Sequence, residues 1–218
     1  MAKREKRAGG AALRAPAQTR SRASMEALLD IGRQLIEERG IDDCSMSDVA
    51  EAAGSSIGSL YFRFGNRERF INEVMKRHIA MGRSSFEALV VELAASPKAP
   101  DAIIRAVTLW IVQVFAHSQG LLRAQLRQAL ERPQVWRPYQ DFARLIVDEL
   151  IRLLARCPGL DADPDWQQHV RIAMQIVFGT LNNILINRPG PLELDDPRTA
   201  EELSLAVVRY LRLEKENG

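Results

Sequence analysis

Cysteine is scarce in this chain: Cys44 and Cys157 are the only two in 218 residues, far apart and without a CxxC pair or Cys/His cluster near either. That spacing excludes the common zinc frameworks, and neither thiol is assigned a role. The three histidines, His78, His117 and His169, stand singly on predicted helices and read as surface or pocket residues rather than metal ligands. No apolar run approaches the roughly 18 residues that would suggest a membrane span. The N-terminus is positive, but Gly9 to Ala17 is interrupted by Arg14 and Pro16, so it lacks a secretory apolar core. The expectation is a cytoplasmic protein with no membrane partner. There is no HExxH, no paired Glu-x-x-His, no phosphate-cradling glycine loop and no nucleophile elbow. No enzymatic activity, catalytic residue, metal or cofactor is therefore expected.

What the chain does have is an ordinary globular composition, 46% hydrophobic and 27% charged, enough to bury a core in one or two domains. Its net charge is only +2, but the charge is unevenly placed: residues 1–24 hold seven Lys/Arg against Glu5 alone, leaving the rest of the chain at −4. A basic arm without helical periodicity, assigned to residues 1–21, has two readings. It follows phosphate or enters the minor groove of DNA, or it is a solvated tail with weak nonspecific affinity.

The most informative stretch is Ser45 to Phe70, SMSDVAEAAGSSIGSLYFRFGNRERF. Ser45 and Asp48 form a carboxylate variant of the capping box, and the apolar pattern Val49, Ala50, Ala53 predicts a helix of about two turns ending at Gly54. Ser55 and Ser56 offer hydroxyls to cap a second helix, on which Ile57, Leu60, Tyr61 and Phe64 fall at helical spacing. Gly65 ends it, Asn66 caps the next, and Arg67 to His78 carries Phe70, Ile71, Val74 and Met75 toward a longer third element. An upstream helix from Ser24, with Leu28, Ile31, Leu35 and Ile36, closes at Arg39-Gly40. These are the parts of a helix-turn-helix. Small or polar residues (Ser56, Gly58, Ser59) open the second helix, the end that a recognition helix points at base edges, while Tyr61, Arg63 and Arg67 suit phosphate oxygens.

Residues 22–83 resemble the DNA-binding domain of the TetR family of bacterial transcriptional regulators. The resemblance is carried by Ser45, Ala50, Ala53-Gly54, Ser59, Leu60-Tyr61, Arg63, Phe64 and Arg67-Glu68. It implies that Ser45 caps the first motif helix and touches phosphate, that Ser56, Ile57 and Ser59 face bases, and that Tyr61, Arg63 and Arg67 hold the backbone. Three positions depart from the family pattern: Ser55 replaces a buried valine, Ile57 a polar residue and Arg63 a histidine. An isoleucine at 57 can still contact a thymine methyl.

Beyond Arg83 there is almost no β signal, and helices are predicted at about 84–95, 100–117, 120–131, 134–156, 164–187 and 197–214, punctuated by prolines at their starts and ends. The fold expected is all-α: a three-helix N-terminal helix-turn-helix domain (22–83) and a C-terminal helical ligand-binding and dimerisation domain (84–218). The resemblance implies that the second domain encloses a small-molecule cavity, and Trp110, Trp136, Tyr139, Phe142, Trp166 and Phe178 are the bulky candidates for its lining. The alternative reading for each is plain core. Gln113, His117, Gln125, Gln175 and Asn182, polar within apolar stretches, either orient a ligand or lie on solvent faces.

The resemblance also implies a four-helix dimer interface. One candidate stripe is Ile172, Gln175, Ile176, Gly179 and Asn183; the other is Leu203, Val207, Tyr210 and Leu211. The partners expected are thus a double-stranded DNA operator, a second copy of the chain and a small-molecule effector that releases a repressor from a palindrome. The competing reading is a helical ligand- or protein-binding module with weak or no specific DNA binding.

Overall fold

The computed structural model describes residues 14–158 and 163–213, with side chains from residue 21 onward. The proposed basic arm up to residue 13 lies outside the described residues. All regular structure among the described residues is helical, and the chain divides into two compact units, Met1–Met75 and Lys76–Gly218.

The first unit holds α1 (Arg14–Arg39), α2 (Met46–Ala52), α3 (Ile57–Phe64) and the start of α4 (Arg67–Ala94). Helix α1 begins well before Ser24, so Arg14 and Arg20 of the expected arm lie on a helix. Pro16 does not prevent this, because it sits in the first turn, where no amide donor is missed. The core of the unit joins Leu28, Leu29, Leu35 and Ile36 of α1 to Val49 and Ala50 of α2, Leu60 and Phe64 of α3, and Phe70, Ile71 and Val74 of α4. Phe64 and Phe70 meet edge to face at 4.9 Å. Gly32 makes room for α4: a Cβ there would lie 2.4 Å from Cζ of Phe70.

In the second unit come the rest of α4, then α5 (Pro100–His117), α6 (Gln119–Glu131), a 3-10 turn (Pro133–Trp136), α7 (Arg137–Leu154), α8 (Trp166–Asn187) and α9 (Pro197–Tyr210). Helix α5 packs against α7, α8 and α9, which fits its run of buried Ile103, Ile104, Val107, Ile111, Val112 and Phe115. Trp166, a candidate for cavity lining, is instead part of this core.

Helix α4 differs most from expectation, because it runs unbroken through the point where a new helix was expected at residue 84. Gly82 lowers helix propensity by about 1 kcal/mol relative to alanine. Its missing side chain is what admits Phe142 of α7, whose Cε1 would stand 3.0 Å from a Cβ at that position. The compact units divide after Met75, within α4, whereas the domain boundary expected from sequence follows residue 83.

Candidate functional site

The helix-turn-helix is set by its caps. Ser45 N–H donates to Asp48 Oδ2 at 2.9 Å and Asp48 N–H donates to Ser45 Oγ at 3.1 Å, a reciprocal capping box. The Ser45 hydroxyl also donates to the same carboxylate. These donors, the side-chain hydroxyl first, hold the Asp48 carboxyl below its ordinary pKa. After α2 the chain turns at Gly54 (φ +59°), and Ser56 caps α3 by accepting from Ser59 N–H at 3.2 Å. Gly65 (φ +80°) ends α3, and Asn66 Oδ1 accepts from Arg69 N–H at 2.8 Å to start α4. Both glycines adopt backbone conformations that a Cβ disfavours.

Helix α3 buries Leu60 and Phe64 and leaves its other faces open. Ser45, Ser56, Ile57, Tyr61 and Arg63 are exposed and Ser59 is half-buried. A Cβ at Gly58 would meet nothing within 4 Å. Phe62 is 92% exposed. Sequence reading passed over Phe62, although its signal was available: a phenylalanine two residues from each of the buried Leu60 and Phe64 must point away from the core.

Arg67 has a role that its reading as a phosphate ligand did not include. Its Nε donates to the Cys44 carbonyl oxygen at 2.9 Å and its Nη2 to the Ile41 carbonyl. The half-buried guanidinium therefore ties the first turn of α4 to the loop between α1 and α2. The neighbouring Cys44 thiol is buried, and burial pushes its pKa up, with Arg67 opposing. Burial likewise raises the Cys157 thiol. Neither has the depressed pKa of a nucleophile.

In the second unit a cavity of about 700 Å³ opens among α4, α5, α7 and α8. Six of the expected ligand residues line it: Trp110, Trp136, Tyr139, Phe142, Gln175 and Phe178. Asn182, read as a polar candidate, also lines it, as does His78, read as a surface or pocket residue; Gly82, Arg144 and Arg171 line it too and were not anticipated. Besides Trp166, three expected residues do not. Gln113 and His117 are exposed, one helical turn apart and outside the lining, with the His117 ring Nδ1 2.7 Å from the Gln113 carbonyl oxygen. Gln125 is buried but outside the lining. The Trp136 and Tyr139 rings stack at 4.9 Å and 11°, and Trp110 Nε1 donates to Ser85 Oγ at 3.0 Å.

The stripes expected at a dimer contact are redistributed. Leu203 and Val207 of α9 belong to the core of their own unit, so they are corrected from interface to core residues. Gln175 and Gly179 line the cavity. Ile172, Ile176, Asn183 and Ile186 of α8 and Tyr210 of α9 are exposed, with Ile176 at 55% and Ile186 at 58%.

Residues 28–74 match the family model described as "Bacterial regulatory proteins, tetR family". Among curated proteins, the chain is 32% identical over 94 residues to the HTH-type transcriptional repressor KstR2 of Rhodococcus jostii (strain RHA1), covering 38% of this chain and 46% of that protein. It is 30% identical over 89 residues to the uncharacterized HTH-type transcriptional regulator YwcC of Bacillus subtilis (strain 168), covering 36% and 40%. The matched regions thus span less than half the length of either relative. Among solved structures, a protein from Mesorhizobium loti described as of the TetR-family regulator type superposes with a TM-score of 0.70 at 16% identity, over 88% of this chain and 97% of that one. A transcriptional regulator from Rhodococcus sp. Rha1 superposes with a TM-score of 0.63 at 16% identity, over 87% and 96%. At these identities the likeness is one of fold.

Proposed function

We propose that this chain, whose residues 28–74 match the TetR family of bacterial regulatory proteins, is a member of that family and a cytoplasmic, homodimeric transcriptional repressor that binds a palindromic operator and is released by a small molecule. The observation that carries this reading is the capped α2–α3 pair, with Leu60 and Phe64 anchored in the core and Ile57, Tyr61, Phe62 and Arg63 left exposed on one short helix. Ser56, Ile57 and Ser59 lie at the α3 end suited to base edges, and Ser45, Tyr61 and Arg63 at positions suited to phosphate. No enzymatic step is part of the proposal.

Dimerisation is proposed through α8. Ile172, Ile176, Gly179, Asn183 and Ile186 recur at alternating spacings of four and three, the period of a helix seam. A two-fold dimer offers two recognition helices to half-sites about one DNA turn apart, roughly 34 to 36 Å. The effector acts from the C-terminal cavity, and it must bind the operator-incompetent arrangement better than the competent one, since equal affinity for both shifts nothing.

Selection of bound sequences from a random DNA pool by the full chain tests the reading. Enrichment of a two-fold symmetric motif supports it. A folded protein that enriches no motif is instead a helical binding module.

A further inference from the structure

The cavity constrains the chemistry of what it holds, an inference that rests on its reading as the effector site. Its lining is rich in aromatic rings: Trp110, Phe142 and Phe178, and the near-parallel Trp136–Tyr139 stack. Such a surface favours a flat apolar body. The charged side chains of the lining are all of one sign: Arg144 and Arg171 line the cavity, and no aspartate or glutamate does.

Each arginine is held by a carboxylate outside the lining, Arg144 by Asp141 at 2.7 Å and Arg171 by Asp148 at 2.8 Å. Both bonds use Nη1, and a guanidinium has five N–H donors in a planar fork. Each arginine is thus oriented by its partner with donors to spare. A third polar residue, Asn182, also lines the cavity, with its side-chain oxygen turned into the protein and away from any accessible surface.

These groups are ordered along one helix. Arg171, Gln175, Phe178 and Asn182 of α8 all line the cavity, at spacings that keep them on one face. Arg171 and Asn182 are separated by about 16 Å of helix axis, at 1.5 Å per residue. We infer that the cavity takes an elongated, flat, mostly apolar anion, with its carboxylate or sulfonate toward Arg144 and Arg171 and a polar group beside Asn182 along its length.

A matched pair of fluorescent probes tests this on the full chain: 8-anilinonaphthalene-1-sulfonate, and N-phenyl-1-naphthylamine, the same ring system and N–H without the sulfonate. The sulfonate probe is expected to bind at least fivefold more tightly, although the neutral probe is the more hydrophobic. Arg144→Gln with Arg171→Gln abolishes that preference, whereas Asn182→Leu weakens both probes alike. Gly82→Leu, which fills the cavity beside Phe142, removes both signals, with Val114→Phe as a second plug if Gly82→Leu does not fold by circular dichroism. A preference below fivefold, or one that survives the arginine changes or the plug, overturns the inference. Release of DNA is read separately: selective probe binding with no loss of operator affinity for any cavity ligand sinks the effector reading and leaves the ligand class standing.

Discussion

Arg67 Nε donates to the carbonyl oxygen of Cys44 at 2.9 Å, across 23 residues of sequence. With the second bond to Ile41, this guanidinium fixes where α4 starts relative to the loop that leads into the helix-turn-helix. Hydrogen bonds to charged groups are worth about 1.5 to 3 kcal/mol when formed in protein, and the half-buried setting of Arg67 argues for the lower end. Arg67→Ala is expected to lower the melting temperature. Its effect on operator binding follows from misplacing the motif rather than from a lost phosphate contact. Arg63→Ala is expected to leave stability unchanged and to reduce the salt slope of binding by about 0.9 per phosphate contact, roughly 1.8 for a dimer. Binding isotherms at four salt concentrations separate the two, and a reduced slope for Arg67→Ala would return that residue to the phosphate backbone.

Gly32 and Gly58 make opposite demands. A methyl at Gly32 would press on the Phe70 ring, and overpacking of this kind costs about 1 to 3 kcal/mol. The space around Gly58 is open, and glycine to alanine within a helix stabilises by about 0.5 to 1 kcal/mol. Chemical denaturation is expected to show Gly32→Ala destabilised and Gly58→Ala stabilised. Gly58→Ala is also expected to bind operator more weakly, because its new methyl projects from the helix that faces DNA.

Much of this was legible in the sequence where the signal is local. Ser45 with Asp48, Gly54, Ser56 and Gly65 each act on residues within five positions, and each punctuation mark is found as a cap or a turn. What sequence did not reveal are relations between distant residues or between faces. The Arg67 bonds join positions 23 and 26 apart, and the ring that packs close to Gly82 of α4 belongs to Phe142, 60 residues later. Periodicity marked Leu203 and Val207 as an apolar stripe but could not say whether the stripe met its own core or a partner. It likewise gave no way to tell that Gln113 and His117 lie outside the lining while Gln175 and Asn182 of α8 line the cavity.

The capping box gives a pH dependence with a definite sign. The Asp48 carboxylate is held below its ordinary pKa by the Ser45 hydroxyl and amide. Its stabilisation of α2 is therefore fully present above the pKa of an unfolded aspartate and is lost as pH falls through the lowered folded value. Carbonyl-carbon NMR titration of Asp48 is expected to show this depressed midpoint, and Ser45→Ala to move it upward. An unchanged midpoint in Ser45→Ala would remove the hydroxyl as its cause.

The α8 seam predicts the oligomeric state. Ile176→Glu places a charge on an exposed apolar position and leaves the described core untouched. Sedimentation velocity is expected to show a dimer for the unaltered chain and a monomer for Ile176→Glu, with matching helical content by circular dichroism. A variant that stays dimeric would move the interface elsewhere.

The exposed face of α3 is the surface assigned to DNA, and operator affinity of Phe62→Ala measures that assignment most directly. Phe62 is 92% exposed, so its removal is expected to leave the melting temperature unchanged. Fluorescence anisotropy on the symmetric DNA enriched by the unaltered chain should show at least a tenfold weaker complex for Phe62→Ala and for Tyr61→Ala. Full affinity in both variants, with folding intact, would contradict the assignment of α3 as the helix that contacts DNA.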